Sequence, residues 1–459
     1  MPYADEEAGK LSHSWAAGKT AAFAQACIPL CLPKEEQIAQ TAALLRYVDV
    51  DDSVDGVVAY AIDGSCGEVQ MAGGIPGASA MAVAVGGLDF SREQLKRTKN
   101  TEGQIDPFAM ADIIGNGFGL GFLLPARDLS YKGLSLAEGW AYAMDEILFS
   151  EKILSFGAAD LLSFLLKGPM INPASFNASI ASMQSKNNEF PGQFTITCPS
   201  CLKTFNHMID CASKKGTKCQ CEAPLWASDS LGLRTDIKKD AKAATLDAML
   251  AIEKLFAAAI LIKESHESQH ENPSLKKAVF LDGPLGHGTL AKQLKSLLVA
   301  LRVENFSFER PWLIGVQKTG LLPQIAALVG HSNQGKTMYA KADEHFLKTA
   351  FGKHADAAKS IAMAGSIGEP YILTSKGKGY ALWLPEGAGG AEVENAMSMA
   401  STMACWLYDN ASLPNALAHR ISSISVNPGM KSISKIGSVN LTKPSHENAI
   451  QAQPSFKLN

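Results

Sequence analysis

The chain carries almost no excess charge of either sign. Lys and Arg number 42 against 45 Asp and Glu in 459 residues, a formal net charge of -3 with a pI near 6.4. A bulk pull on polyanions is therefore absent, and binding to nucleic acid would need a local cleft or a bound cation. Long apolar runs are missing too: no stretch reaches the roughly 18 uncharged residues a membrane helix needs. The amino terminus, MPYADEEAGK, lacks the basic-then-apolar order of a signal peptide, so cytoplasmic residence is the expectation. Aromatics are only 7% and charged residues 19%, but the hydrophobic fraction of 46% suits a folded globular protein and excludes a disordered, collagenous or coiled-coil chain. Cysteine is sparse and uneven. Of nine, five crowd into Cys198 to Cys221, which points to metal binding rather than disulfides.

The length predicts one large α/β core with insertions, or two domains. Residues 1–55 read as a helical segment ending in the Asp-rich turn DVDDSVDG. Residues 56–190 open with the β-branched, aromatic strand VVAYAI (Val57 to Ile62), which is expected to stop at Asp63-Gly64-Ser65. Further strands follow from Met71 to Phe90, and helix is expected from about Asp106 to Leu166. A Pro-, Asn- and Ser-rich linker then leads into a metal module at residues 191–230. Residues 231–427 resume the core, with a long helix over 237–263, the strand LKKAVFL ending at Asp282-Gly283, and the strand WLIGVQ. The hairpin YILTSKGKGYALWL and the helices Glu394 to Tyr408 and Pro414 to Ile424 complete it. Residues 428–459 are expected to form a mobile tail.

Two strands thus run into Asp-Gly. Phosphodiester hydrolysis needs cations where attacking and leaving oxygens develop charge, and carboxylates at neighbouring strand ends can clamp two ions roughly 4 Å apart. Asp63 and Asp282 have that setting, and the glycine after each lets the backbone turn away. Asp-Gly is equally a hairpin-turn signal, and either motif alone reads more readily as a turn. Lys318, just past WLIGVQ, could pair with a phosphate or be a solvated lysine. Three glycine-rich stretches mimic nucleotide loops: GNGFGLGF (Gly115 to Phe122), GHGTL after Asp282, and GHSNQGKT (Gly330 to Thr337). None has the strand and glycine spacing of a P-loop, so no ATPase is expected, and the first reads as backbone flexibility.

Cys198-Pro-Ser-Cys201 and Cys219-Gln-Cys221 offer two thiolate pairs able to grip a tetrahedral Zn²⁺, with Cys211 and His207 as alternative ligands. Four thiolates leave no open position for water, so this ion would be structural. Lys203, Lys214, Lys215 and Lys218 make the intervening loop basic. It reads as a solvated loop or as a contact to DNA or protein.

The ordered set VVAYAIDGS, AVFLDGPLGHG and WLIGVQKTG, with APLWASDSLGLRTD and AMLAIEKL upstream of the second, resembles the NurA nuclease family, the bacterial proteins in particular, over most of residues 57 to 425. The resemblance implies an RNase H-like mixed sheet flanked by helices, with the zinc module inserted. It also implies a Mn²⁺- or Mg²⁺-dependent DNA nuclease, a homodimer, and partnership with a HerA-type hexameric translocase. Carried over by residue, Asp63, Glu253 and Asp282 become the catalytic metal ligands; hard oxygen donors suit those cations. By sequence alone Glu253, beside Lys254, reads as a solvated helix residue. His419 resembles the carboxy-terminal residue closing such sites, with His354 and Asp356 as competitors. The function this implies is phosphodiester hydrolysis in DNA-end processing, repair or antiviral defence. Two alternatives stay open: a catalytically inactive zinc-ribbon adaptor docked on a translocase, and a hydrolase of other phosphorylated substrates.

Overall fold

Buried alanines such as Ala59, Ala61, Ala82 and Ala84 and large side chains such as Ile62, Phe90 and Phe280 together build the centre of the sheet. The computed structural model describes residues 33–48, 57–70, 78–98, 106–167, 193–208, 217–234, 240–267, 276–285, 290–303, 312–317, 320–331, 336–363, 368–375, 378–403 and 455–457, with positions 178, 180, 418, 419 and 422. Contacts divide the chain into a larger unit (Asp49–Lys318, Gly365–Glu369 and Leu382–Asn459) and a smaller one (Met1–Val48, Thr319–Ala364 and Pro370–Ala381).

In the larger unit β1 (Val57–Gln70), β2 (Ser79–Ser91), β3 (Phe118–Arg127), β4 (Lys276–Asp282) and β5 (Trp312–Gln317) form a mixed sheet in the order β3-β2-β1-β4-β5. The first three pair antiparallel, while β4 runs parallel to both β1 and β5. β1 does not stop at Asp63. Its ladder with β2 continues from Val58 opposite Ser91 to Gln70 opposite Ser79, so cross-strand pairing overrides the Asp-Gly turn signal. The helical reading of residues 106 to 166 is also corrected, because GFGLGFLLPAR lies largely in β3. Its flat glycine stretch pairs with Gly86 and Gly87 of β2, and the Phe118 ring occupies the space where a Cβ on Gly87 would sit.

Helix does form at α1 (Leu136–Ser150) and α2 (Ala158–Lys167), and again at α3 (Ala241–Glu267) and α4 (Ala291–Val303). α3 packs on β1, β2, β3 and β4. Every residue from Ala251 to Ile262 is buried, as expected of a helix stretch that is apolar apart from two residues, Glu253 and Lys254. Phe256 stacks on Phe118 at 5.7 Å, and burying a side chain such as Phe256 stabilises by about 1.5–3 kcal/mol. The cysteine module is a hairpin of Gln193–Thr197 and Thr204–Met208, followed by the short pair Thr217–Lys218 and Pro224–Leu225. The tail expected to be mobile supplies Ser455–Lys457 as an edge strand on β3.

In the smaller unit Met338–Lys341 pairs antiparallel with both Arg46–Tyr47 and the strand Glu369–Ser375. The strand Lys378–Leu384, of which residues up to Ala381 belong to this unit, lies beside the last of these, as the hairpin reading expects. Helices Glu35–Ala42, Leu321–His331, Glu344–Phe351 and Ala355–Met363 accompany them. Among the described residues no helix is long and apolar enough to cross a membrane.

Candidate active site

Register brings the two aspartates together. The β1–β4 ladder ends with Ile62 opposite Leu281. The next residue on each strand is Asp63 and Asp282, on parallel neighbours whose backbones run about 4.8 Å apart. They differ in setting: Asp63 is buried at mid-strand, opposite Gly86, while Asp282 is the last residue of β4 and half-buried. The turn after Asp282 is fixed by Gly283, at φ +75°, whose amide donates to the Val316 carbonyl at 2.8 Å. Gly315 lets this turn cross β5, since a Cβ there would lie 2.6 Å from the Gly283 oxygen.

The third acid comes from α3. Met249 and Glu253, one helical turn apart, lie against Gly64; a Cβ on Gly64 would collide with the Glu253 carboxylate and sit 2.7 Å from Met249. The glycine after Asp63 thus serves close helix–strand approach, not a turn. Glu253 is 3% exposed, which corrects its reading as a solvated helix residue, and Lys254 beside it is 4% exposed. Asp63, Glu253 and Asp282 share the wall of one cleft of about 340 Å³ with Asp247 and Lys254. The sequence reading missed Asp247; its signal was the α3 stripe Asp247, Leu250, Lys254 at helical spacing.

Burial, then the charges of Asp63 and Asp282, push the Glu253 carboxyl up to about 8, although Lys254 and the Gly64 amide act the other way. Mutually repelling carboxylates are hard oxygen donors, the chemistry that suits Mn²⁺ or Mg²⁺, although among the described residues only the cysteine cluster has its ligand atoms gathered closely enough to hold an ion as they stand. His419 also converges here: its Nδ1 lies 3.6 Å from Asp63 Oδ2, with the imidazole 55% exposed. Its competitors His354 and Asp356 belong to the smaller unit. Lys318 lies outside the described residues.

In the cysteine module the ligand atoms of Cys198, Cys201, Cys219 and Cys221 all lie within 4.8 Å of one another, an arrangement that can hold a metal ion. The amides of Leu202 and Glu222, both left-handed (φ 58° and 64°), donate to the carbonyls of Cys198 and Cys219 and close the two knuckles. Burial opposes ionisation of Cys198, but amide donation from Cys201 and Ser200 holds its thiol down to about 7. Cys211 and the His207 side chain lie outside the described residues. The module is tied to the core by Asp145 of α1, which accepts from the amides of Ala227 and Ser228 at 2.8 and 2.7 Å. Next to them, the buried pair Arg234–Asp229 closes at 2.9 Å.

No protein-family model and no curated protein matches the chain. Solved structures similar to it include the NurA nuclease from Sulfolobus solfataricus, at 8% identity and a TM-score of 0.38, covering 95% of this chain and 98% of that one. A structure of NurA with manganese matches at 10% identity and a TM-score of 0.30, covering 93% of this chain and 98% of that one. One of NurA bound to dAMP and manganese matches at 10% identity and a TM-score of 0.29, covering 96% and 99%. The likeness is remote, so the chemistry has to rest on the residues themselves.

Proposed function

We propose that the chain is a divalent-metal-dependent DNA nuclease in which Asp63, Glu253 and Asp282 hold Mn²⁺ or Mg²⁺. One observation carries the reading: three acids from two parallel strands and a buried helix meet in one cleft. When bound, the cations would activate water and neutralise charge building on the phosphate. Gly64 and Gly283 fix the carboxylates, and the packing of α3 keeps Glu253 from swinging into water. His419, exposed at 3.6 Å from Asp63, is placed to accept the proton of the attacking water. The water oxygen bonds to phosphorus and the bond to the 3′ oxygen breaks. That oxygen takes a proton from solvent, leaving a 5′-phosphate and a 3′-hydroxyl.

Support for an RNase H-like core comes from the order β3-β2-β1-β4-β5, three antiparallel strands followed by two parallel to the first. Four thiolates without an open position suit a structural Zn²⁺. DNA as the substrate, a HerA-type translocase as partner, the homodimer, the cytoplasmic setting and a role in repair or defence rest on the resemblance in VVAYAIDGS, AVFLDGPLGHG and WLIGVQKTG.

The test is digestion of linear and circular DNA by the purified protein with Mn²⁺, Mg²⁺ or EDTA, beside Asp282→Ala. Metal-dependent cleavage lost in the variant is the expected result. Cleavage that persists in EDTA or in the variant removes the reading, and a wild-type protein that fails to bind Mn²⁺ leaves the adaptor.

A further inference from the structure

Among the described residues that line the cleft, one is a lysine. Lys254 follows Glu253 on α3, yet it points into the cleft along the stripe Asp247, Leu250, Lys254. It is 4% exposed, and its ammonium donates to the Leu250 carbonyl at 3.4 Å. Among the described residues it closes no ion pair; burial pulls its pKa down, and Glu253 and Asp247 are close enough to act the other way. An ammonium has three donors. Burying one with donors to spare is costly unless a further acceptor arrives.

Packing gives no reason for a lysine here. The rest of the segment from Ala251 to Ile262 is apolar apart from Glu253, and methionine would fill the same volume without desolvating a charge. A positive charge beside a ring of carboxylates is a poor metal-site component, since it competes with the cation. It suits an anion brought to that cation.

We propose that Lys254 contacts the scissile phosphate, donating to a non-bridging oxygen and stabilising the charge that develops there. The inference rests on the nuclease reading. Lys254 stays an ammonium throughout; no proton passes through it. Its place on a rigid buried helix gives it the fixed geometry that such stabilisation needs.

The experiment compares wild type with Lys254→Met and Lys254→Arg in three measurements: Mn²⁺ affinity by calorimetry, affinity for a single-stranded oligonucleotide in Ca²⁺, and the single-turnover cleavage rate in Mn²⁺. In Lys254→Met we expect a melting temperature equal to or above wild type, Mn²⁺ bound no more weakly, and oligonucleotide bound about tenfold more weakly. Its cleavage should slow by roughly 10²-fold, the scale of losing one charge-stabilising donor. Lys254→Arg should recover part of the rate. Cleavage by Lys254→Met within a few-fold of wild type overturns the proposal and leaves the nuclease reading standing. So does a parallel loss of Mn²⁺ affinity and stability, which marks a purely structural lysine. A wild type that never cleaves removes the nuclease reading instead, and the oligonucleotide arm then decides Lys254 alone: unchanged binding in Lys254→Met removes it as well.

Discussion

The larger unit contains two candidate metal sites built on opposite plans. The cysteine cluster is local: its four ligands fall within Cys198 to Cys221, on two knuckles closed by their own backbone hydrogen bonds. The carboxylate cleft is dispersed, with Asp63, Glu253 and Asp282 brought together by strand register and a buried helix. In a site of the first kind, ion binding contributes directly to local folding, because all its ligands come from one short segment. The second kind is held by the core whether or not an ion is present, and it stores the repulsion of its acids until a cation relieves it.

The sharpest break of this contrast is Glu253→Gln. Losing one oxygen ligand should reduce Mn²⁺-dependent cleavage by about 10³-fold or more, several kcal/mol at 1.36 kcal/mol per tenfold. The metal-free protein should become more stable. A carboxyl raised from 4.5 to about 8 is protonated in the fold where the unfolded chain has lost its proton. The metal-free protein should therefore lose stability as pH rises through that window and level off above it. Denaturant titration from pH 5 to 9 checks this: the slope should be flatter in Glu253→Gln, and Mn²⁺ should restore wild-type stability at pH 8. A wild-type stability that rises over this range without metal breaks the idea of stored repulsion.

Gly64→Ala comes next, since its Cβ collides with Glu253 and Met249. Displacing one packed acid should slow cleavage by about 10²-fold and destabilise by about 1–3 kcal/mol, read from rate and thermal melting. Wild-type values would mean that α3 can shift without consequence.

The mildest expected effect on cleavage is that of Cys219→Ser. It should release bound Zn²⁺, detected by a colorimetric chelator, and lower the melting temperature through the Asp145 tie. Cleavage should stay within about tenfold of wild type, or 1.36 kcal/mol. Loss of activity as deep as in Glu253→Gln would mean that the two sites are not independent.

Legibility follows the same divide. Spacing alone identified the cysteines, because a thiolate pair grips one ion wherever the chain around it goes. Strand character at VVAYAI, LKKAVFL and WLIGVQ was equally local. Asp63 and Asp282 stood out only as Asp-Gly pairs, and at Asp63 the turn that pair suggests does not form, because β2 pairs on past it. The strand in FGLGFLL was missed because glycine removes the alternation that marks a half-buried strand.

Composition, local pattern and cysteine spacing therefore indicated that this is an α/β protein, where many of its elements lie, and which four cysteines cluster closely enough to hold a metal ion, since each depends on residues near one another in the chain. Tertiary structure alone decided that Glu253 is buried rather than solvated and that Asp63 lies beside Asp282. Burial and register come from partners hundreds of residues away, and no local window contains the energy that selects them.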